Sequence, residues 1–247
     1  MNALVITLWA EQPLSLPLAY NQMVQGALYD NWHGAFPALH DKGYKDGTHT
    51  FRLFTFSPLL GHYQVKGKEI AFDGAIRLEV RSPVNELIEE LANSLLARGS
   101  VRLGTHELPV INLESADRLM FFPDARIRMI SPVTVHETTP DGSTVYYSPT
   151  DERFSLMLLN NLVSKLNAAG VQAAPILGCV PVPGTIHKRV SQFKGTYITA
   201  YEGAFDVQAD PEALALLYYA GIGDRNSQGF GMFSIDALPI CQKDGWL

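Results

Sequence analysis

The sequence predicts a mixed α+β protein in which one folding unit is used twice, and two observations carry that prediction. First, three stretches share the same helix punctuation. Ser82-Pro83, Ser148-Pro149 and Asp210-Pro211 each put an oxygen-bearing N-cap before a proline suited to the first helical position, and Gly99, Gly170 and Gly221 stand where those helices should stop. Second, the order of elements repeats: strand, helix, strand, strand, helix, strand, and then the same six again, with the break near Asp124 to Met129. That pattern is two tandem ferredoxin-like (RRM-like) βαββαβ domains, each an antiparallel sheet with two helices on one face, divided as 1–126 and 127–247. A single larger α+β domain is the structural alternative.

Each element has its own justification. Leu4 to Trp9 reads as the first strand. A first helix starts near Leu18, where Tyr20, Met23, Val24, Ala27 and Leu28 make one apolar face, and loses regularity before Pro37. His49 to Phe56 and Ile70 to Val80 supply the next two strands. The helix after Ser82 sets Leu87, Ile88, Leu91 and Leu95 at helical spacing, and a strand within Glu107 to Met129 closes the unit. The second unit runs from a strand at Ile130 to Val135 to a helix with Phe154, Leu158, Leu162 and Leu166 on one face. Strands at Val171 to Val180 and Val190 to Ala200, a helix after Asp210 and a strand at Phe230 to Ile235 complete it.

At 247 residues with 47% hydrophobic content the chain can bury a real core, which excludes disorder. Its 19 Lys and Arg against 25 Asp and Glu, a formal charge of -6, argue against a nonspecific polyanion coat, so any nucleic-acid binding needs a local basic patch. The two cysteines, Cys179 and Cys241, make neither a disulfide framework nor a zinc cluster, which fits a reducing cytosol. The start, MNALVITLWAEQ, lacks a basic leader region, and the later apolar run Ala213 to Ala220 stops at Gly221. A cytoplasmic protein with no membrane span is therefore expected.

The strongest chemical motif is Gly221-Ile222-Gly223-Asp224-Arg225-Asn226-Ser227-Gln228-Gly229-Phe230-Gly231. Its four glycines bracket a polar, Arg-containing centre, so backbone N–H groups can converge on an anion, with Arg225 adding a charge-assisted contact. The third position of GxGxxG is taken by Asn226, and no P-loop Lys-Ser/Thr pair follows, so the nucleotide fingerprints do not fit. A helix C-cap and turn would need one glycine, not four. A second feature runs from Tyr29 through His33 and His40 to Lys42, then to Phe51-Arg52-Leu53-Phe54-Thr55-Phe56. No HExxH-like spacing occurs, and no metal site or cofactor is expected. The histidines at 33, 49, 62, 106, 136 and 187 read as surface or packed imidazoles. His187-Lys188-Arg189 and Lys194 flank a hairpin with Phe193 and Tyr197 nearby, equally suited to RNA contact or to a plain solvated hairpin.

Together the loop and the His/Tyr segment resemble the CRISPR-associated endoribonuclease family that cuts precursor CRISPR RNA within its repeats, a branch of the repeat-associated mysterious protein superfamily. GIGDRNSQGFGM resembles its C-terminal signature GxGxxxxxGxG. LH followed by RLFTFSPL, the helix AYNQMVQGALY and the segment SPVTV are similar to further family segments. The resemblance implies that Tyr29 is the proton acceptor or an orienting group and that His40 is the general acid. It also implies that Arg52 stands where family members often carry a stabilising lysine, with Lys42 and Lys45 as substitutes. It implies RNA binding by Gly221, Gly223, Arg225, Asn226, Ser227, Gly229 and Gly231, to which Lys188 and Arg189 add the hairpin's cations. Precursor CRISPR RNA is the expected partner, with CRISPR effector subunits as further partners and a monomeric or homodimeric state. A noncatalytic RNA-binding subunit of an effector complex is the rival reading, because it would keep the loop without needing Tyr29, His40 and Arg52.

Overall fold

The computed structural model describes residues 1–36, 43–47, 49–116 and 119–236. The first half comprises β1 (Ala3–Pro17), α1 (Asn21–Trp32), the short hairpin β2 (Tyr44–Asp46) and β3 (His49–Phe51), then β4 (Thr55–Phe56), β5 (Leu60–Lys66), β6 (Glu69–Arg81), α2 (Asn85–Arg98), β7 (Ser100–Leu103) and β8 (His106–Ser115). The second comprises β9 (Asp124–Met129), the hairpin β10 (His136–Thr138) and β11 (Thr144–Tyr146), α3 (Glu152–Ala169), β12 (Leu177–Pro181), the hairpin β13 (His187–Phe193) and β14 (Thr196–Glu202), β15 (Ala204–Ala209), α4 (Pro211–Ala220) and β16 (Phe233–Asp236).

The two sheets have the same logic. In the first, the order is β4-β6-β1-β8-β7, with β5 continuing the β4 edge along β6; in the second it is β12-β15-β9-β16. All pairings are antiparallel, and in both sheets the first and third strands of the unit lie at the centre. This is the ferredoxin-like arrangement, present twice. Each sheet builds its own core: Leu4, Ile6, Leu8, Phe72 and Leu78 pack with α1 and α2 residues in one, and Ile127, Phe205 and Val207 pack with α3 and α4 residues in the other.

Some local expectations move. Gly99, Gly170 and Gly221 do close α2, α3 and α4, and Asp210 caps α4 by accepting the Glu212 N–H at 3.0 Å, with Pro211 as first helical residue. The other two serine caps are displaced. Ser82 accepts from Val84 N–H at 3.0 Å and donates to the Leu53 carbonyl at 2.7 Å, so its hydroxyl ties the turn and α2 begins at Asn85. For α3 the cap is Asp151, which accepts the Arg153 N–H at 2.9 Å, because its carboxylate stands at the point where the chain leaves extended geometry. The first strand of the second sheet is Asp124–Met129; the expected strand Ile130 to Val135 is instead a crossing segment, bridged to the β13–β14 hairpin by Val133 and Tyr201. A division at 126/127 would cut β9, and we propose that the two units divide before Asp124. Val190 to Ala200 is no sheet strand either: it spans the turn of the β13–β14 hairpin, and the third strand is β15.

Between the halves, the stretch around Arg52 to Phe54 faces two ways. Phe54 enters the first core and Leu53, whose backbone is left-handed (φ 51°), enters the second. Arg81, at the end of β6 and only 3% exposed, ties the halves more directly. Its Nε donates to Glu79 Oε1 at 2.6 Å, its Nη1 donates to the Phe233 carbonyl of β16 at 2.7 Å, and its guanidinium stacks 3.8 Å above the Tyr218 ring of α4. Removing one partner of such a buried set leaves a carboxylate and a carbonyl unmatched. Arg81→Met is expected to lower unfolding free energy by about 3 kcal/mol, read from urea denaturation; an unchanged midpoint would mean that the tie carries no stability.

Candidate functional site

A cleft of about 540 Å³ lies between α1, the stretch 50–54, the β13–β14 turn and the glycine-rich loop. It brings together Tyr29 and Arg52 from the first half with Gly223, Arg225, Asn226 and Ser227 from the second. Tyr29, Arg52 and the glycine loop thus line one cleft. His40 and Lys42 lie outside the described residues. Lys45 sits on β2 and Lys188 and Arg189 on β13, exposed and off the cleft wall; Arg189 donates to Glu202 at 2.8 Å.

Helix α1 docks onto the loop through residues at four-residue spacing, which put three polar side chains on one face. Asn21 Nδ2 donates to the Gln228 carbonyl at 3.0 Å, and Gln25 Nε2 to the Ser227 carbonyl at 2.7 Å. One turn on, Tyr29 shares the cleft wall with Ser227 and Arg52. The Tyr29 ring is held edge-on against Trp32 and Phe54, with centroids 6.2 and 5.7 Å away. Burial pushes the phenol above its ordinary value of 10.0, although the Arg52 charge and the nearby Ser227 and Arg52 side chains pull the other way. Tyr29 is thus a neutral hydroxyl at neutral pH.

The glycine loop is built around Asn226, which is 8% exposed. Its Nδ2 donates to the Ile222 and Phe230 carbonyls, each at 3.1 Å, drawing the two ends of the loop together. At Gly231 (φ 77°) a Cβ would collide with the Ile222 carbonyl, and at Gly229 (φ 85°) it would lie 2.6 Å from Asn21 Nδ2 and 2.7 Å from the Phe56 ring. The surplus of glycines therefore has an intramolecular cause. Gly221, Gly229 and Gly231 lie behind the wall, whereas residues 223–228 line the cleft.

Beneath the loop stands a residue that sequence reasoning missed. Lys165 of α3 is 1% exposed, and its Nζ donates to the carbonyls of Gly221 (2.7 Å) and Gly223 (2.8 Å) and to Asn226 Oδ1 (2.7 Å). Three acceptors match the three donors of an ammonium. The available signal was its position, one helical repeat beyond Leu158 and Leu162 on the buried stripe. A second missed group faces the same cleft: His136, read as an ordinary imidazole, has Nδ1 2.7 Å from Asp224 Oδ2, and Asn161 Nδ2 donates to Asp224 Oδ1 at 2.9 Å.

The backbone marks this place too. Among the described residues, the non-glycine positions with positive φ are Leu53, Lys194 and Arg225, and all three line the cleft. Such conformations cost of order 1 to 3 kcal/mol each and persist where surrounding contacts over-determine them. Among the described residues, no group of three or more His, Cys, Asp or Glu side chains is placed to hold a metal ion, and no helix is long and apolar enough to cross a membrane.

Two ferredoxin-like units facing each other across a glycine-loop cleft define the structural class. The chain superposes on a solved structure described as CRISPR associated protein Cas6 with a TM-score of 0.76 and 26% identity, covering 96% of this chain and 99% of that one. Residues 15–114 match the family described as CRISPR-associated protein Cas6, N-terminal, and residues 118–235 match CRISPR associated protein Cas6, C-terminal. CRISPR-associated endoribonuclease Cas6 1 of Methanocaldococcus jannaschii is 30% identical over 227 residues, 88% of this chain and 86% of that protein. CRISPR-associated endoribonuclease Cas6 of Pyrococcus furiosus is 22% identical over 229 residues, 92% and 86% of the two chains. The chain belongs to the Cas6 family.

Lys165 generates a prediction with a defined sign. Burial pushes its ammonium down to about 7, against 10.5 ordinarily, with the Asp224 charge opposing the shift. Between those values the unfolded chain binds more protons than the native one, so this group makes stability rise with pH across that window and gives its largest penalty below it. Urea midpoints at pH 7 and pH 9 should show the rise in wild type and a smaller one in Lys165→Met. The variant itself should lose about 3 kcal/mol, since three buried acceptors are left unmatched. Equal pH slopes in the two proteins would refute the assignment.

Proposed function

We propose that this chain is an endoribonuclease that cuts precursor CRISPR RNA within its repeats, using the RNA's own 2′-hydroxyl and no metal ion. The observation that carries the reading is the meeting of Tyr29, Arg52 and Ser227 at the junction of α1 and the glycine loop. The names of the two relatives support the same activity.

The chemistry asks for three things: activation of the 2′-oxygen, stabilisation of the phosphorane, and a proton for the departing 5′-oxygen. Arg52 supplies positive charge and a planar donor fork for the nonbridging oxygens. Tyr29, kept neutral by burial, is a poor base; its hydroxyl orients the 2′-oxygen, whose proton passes to water as the bond to phosphorus forms and the 5′-oxygen leaves. His40 follows α1 in the chain and takes the general-acid role, for which an unperturbed imidazole near 6.5 is well matched. Residues 225–228 hold the phosphate backbone, with the terminal nitrogens of Arg225 as its cation. The products are a 2′,3′-cyclic phosphate and a 5′-hydroxyl.

Purified protein should cleave repeat RNA in EDTA and leave RNA with a 2′-deoxy at the cleavage position intact; cutting of the deoxy strand would sink the mechanism. His40→Ala should slow single-turnover cleavage roughly 10² to 10⁴-fold while RNA affinity is retained. Binding of repeat RNA by wild type with no cleavage at all would favour a noncatalytic binding subunit. Arg225→Ala should weaken binding and make its salt dependence shallower by about one unit; an unchanged slope would remove Arg225 from the phosphate contacts.

A further inference from the structure

The wall of the cleft built by the second half carries polar groups that the cleavage chemistry does not use. Asp224 organises them. Its backbone N–H donates to the Thr134 carbonyl at 2.8 Å, its Oδ2 accepts the His136 N–H at 2.9 Å, and its Oδ1 accepts from Asn161 Nδ2 at 2.9 Å. Because the carboxylate only accepts, Asn161 must turn its amide nitrogen to Asp224 and leave Oδ1 as an acceptor. His136 Nδ1 is 2.7 Å from Asp224 Oδ2 but off the line of a hydrogen bond, and its ring lies 5.7 Å from that of Tyr146, tilted by 34°.

Among the described residues, four buried side-chain atoms lack a hydrogen-bond partner: His136 Nδ1, Tyr146 Oη, Asn161 Oδ1 and Arg225 Nε. Three belong to cleft-lining residues, and Tyr146 packs against one of them. Native interiors leave few such atoms unmatched, and a local concentration calls for an explanation. Here the unmatched set combines a donor, Arg225 Nε–H, with an acceptor, Asn161 Oδ1. A phosphate has no proton to give Asn161 and would face the Asp224 carboxylate. A nucleobase edge both donates and accepts, so it meets both needs once a turn of these side chains, closed in this structure, brings the atoms to the cleft surface.

We propose that His136, Asn161 and Arg225, positioned by Asp224, form a base-reading subsite for a nucleotide flanking the scissile phosphate. The inference rests on the proposed RNA-cleaving role of the cleft and adds to it a specificity element. The subsite reads the base and leaves the bond-making steps to Tyr29, His40 and Arg52. RNA readout by hydrogen bonds to an unstacked base in a polar pocket is a general mode of single-strand recognition.

The test uses the full chain and repeat RNA with a 2′-deoxy at the cleavage position, together with copies in which each of the two nucleotides on either side of that position is made abasic in turn. Wild type should lose about tenfold in affinity for one abasic RNA. Asn161→Leu and His136→Phe should lose about tenfold for intact RNA and lose nothing further for that abasic RNA, the non-additivity of a shared contact. Asn161→Asp and His136→Gln, which keep the side-chain volume, serve as second variants if the first do not fold, and melting curves report this. Equal penalties for every RNA, or variants that bind as wild type does because ordered water alone fills the wall, would overturn the subsite while leaving the RNA-cleaving reading intact. Absence of any RNA binding by wild type would overturn both.

Discussion

The contact on which the site depends is the Lys165 side chain beneath the glycine loop. Without its amine, the carbonyls of Gly221 and Gly223 and the amide oxygen of Asn226 would converge with nothing between them. With it, the three acceptors share a buried donor group and the loop is tied to α3. Asn226 then clamps the two arms of the loop through the Ile222 and Phe230 carbonyls. The loop so held presents the Ser227 and Gln228 carbonyls to α1, and the register of Asn21 and Gln25 against it depends on a lysine of another helix.

This arrangement locates the energetic source of the cleft outside the cleft. Left-handed backbones at Leu53, Lys194 and Arg225 are unfavourable taken singly. Leu53 is held because its side chain enters the second core while Phe54 enters the first, and its carbonyl accepts from Ser82. Arg225 is held between Asp224, hydrogen-bonded to Thr134 and His136, and Asn226, hydrogen-bonded to Lys165. In each case hydrophobic burial and paired polar groups on both sides fix a conformation that the isolated segment would avoid.

Periodicity and punctuation made the tandem fold legible. Apolar spacing at Leu87, Ile88, Leu91 and Leu95 and at Phe154, Leu158, Leu162 and Leu166 is decided within one helix, and those residues are buried as the spacing requires. What was not legible depends on neighbours distant in sequence. β9 precedes its expected position because pairing with β15 and β16 selects residues 124–129 over the equally apolar 130–135. The loop's glycines looked like a surplus for binding anions, yet Gly229 faces Phe56 and Asn21, contacts that no local pattern announces. Lys165 and the His136–Asp224 pair were passed over for the same reason: a charged residue on an apolar stripe has no reading until its acceptors, some 60 positions on, are seen.

The charge balance gains meaning at this scale. The chain is net -6, yet among the described residues the cleft is lined by Arg52, Lys165, Lys194 and Arg225 against one carboxylate, that of Asp224. Salt screens exposed charges beyond about 8 to 10 Å, so a polyanion in the cleft meets this local field, and strands elsewhere on the surface meet an acidic protein. Lys165 is spent on the loop itself, which leaves three cations for the ligand and places the carboxylate where a phosphate is least welcome. Positive charge on the Arg52 and Lys194 sides and a mixed donor–acceptor wall around Asp224 divide the cleft into a backbone-binding part and a base-facing part. A site with only the former would bind RNA of any sequence; the latter gives an acidic protein a means of choosing one.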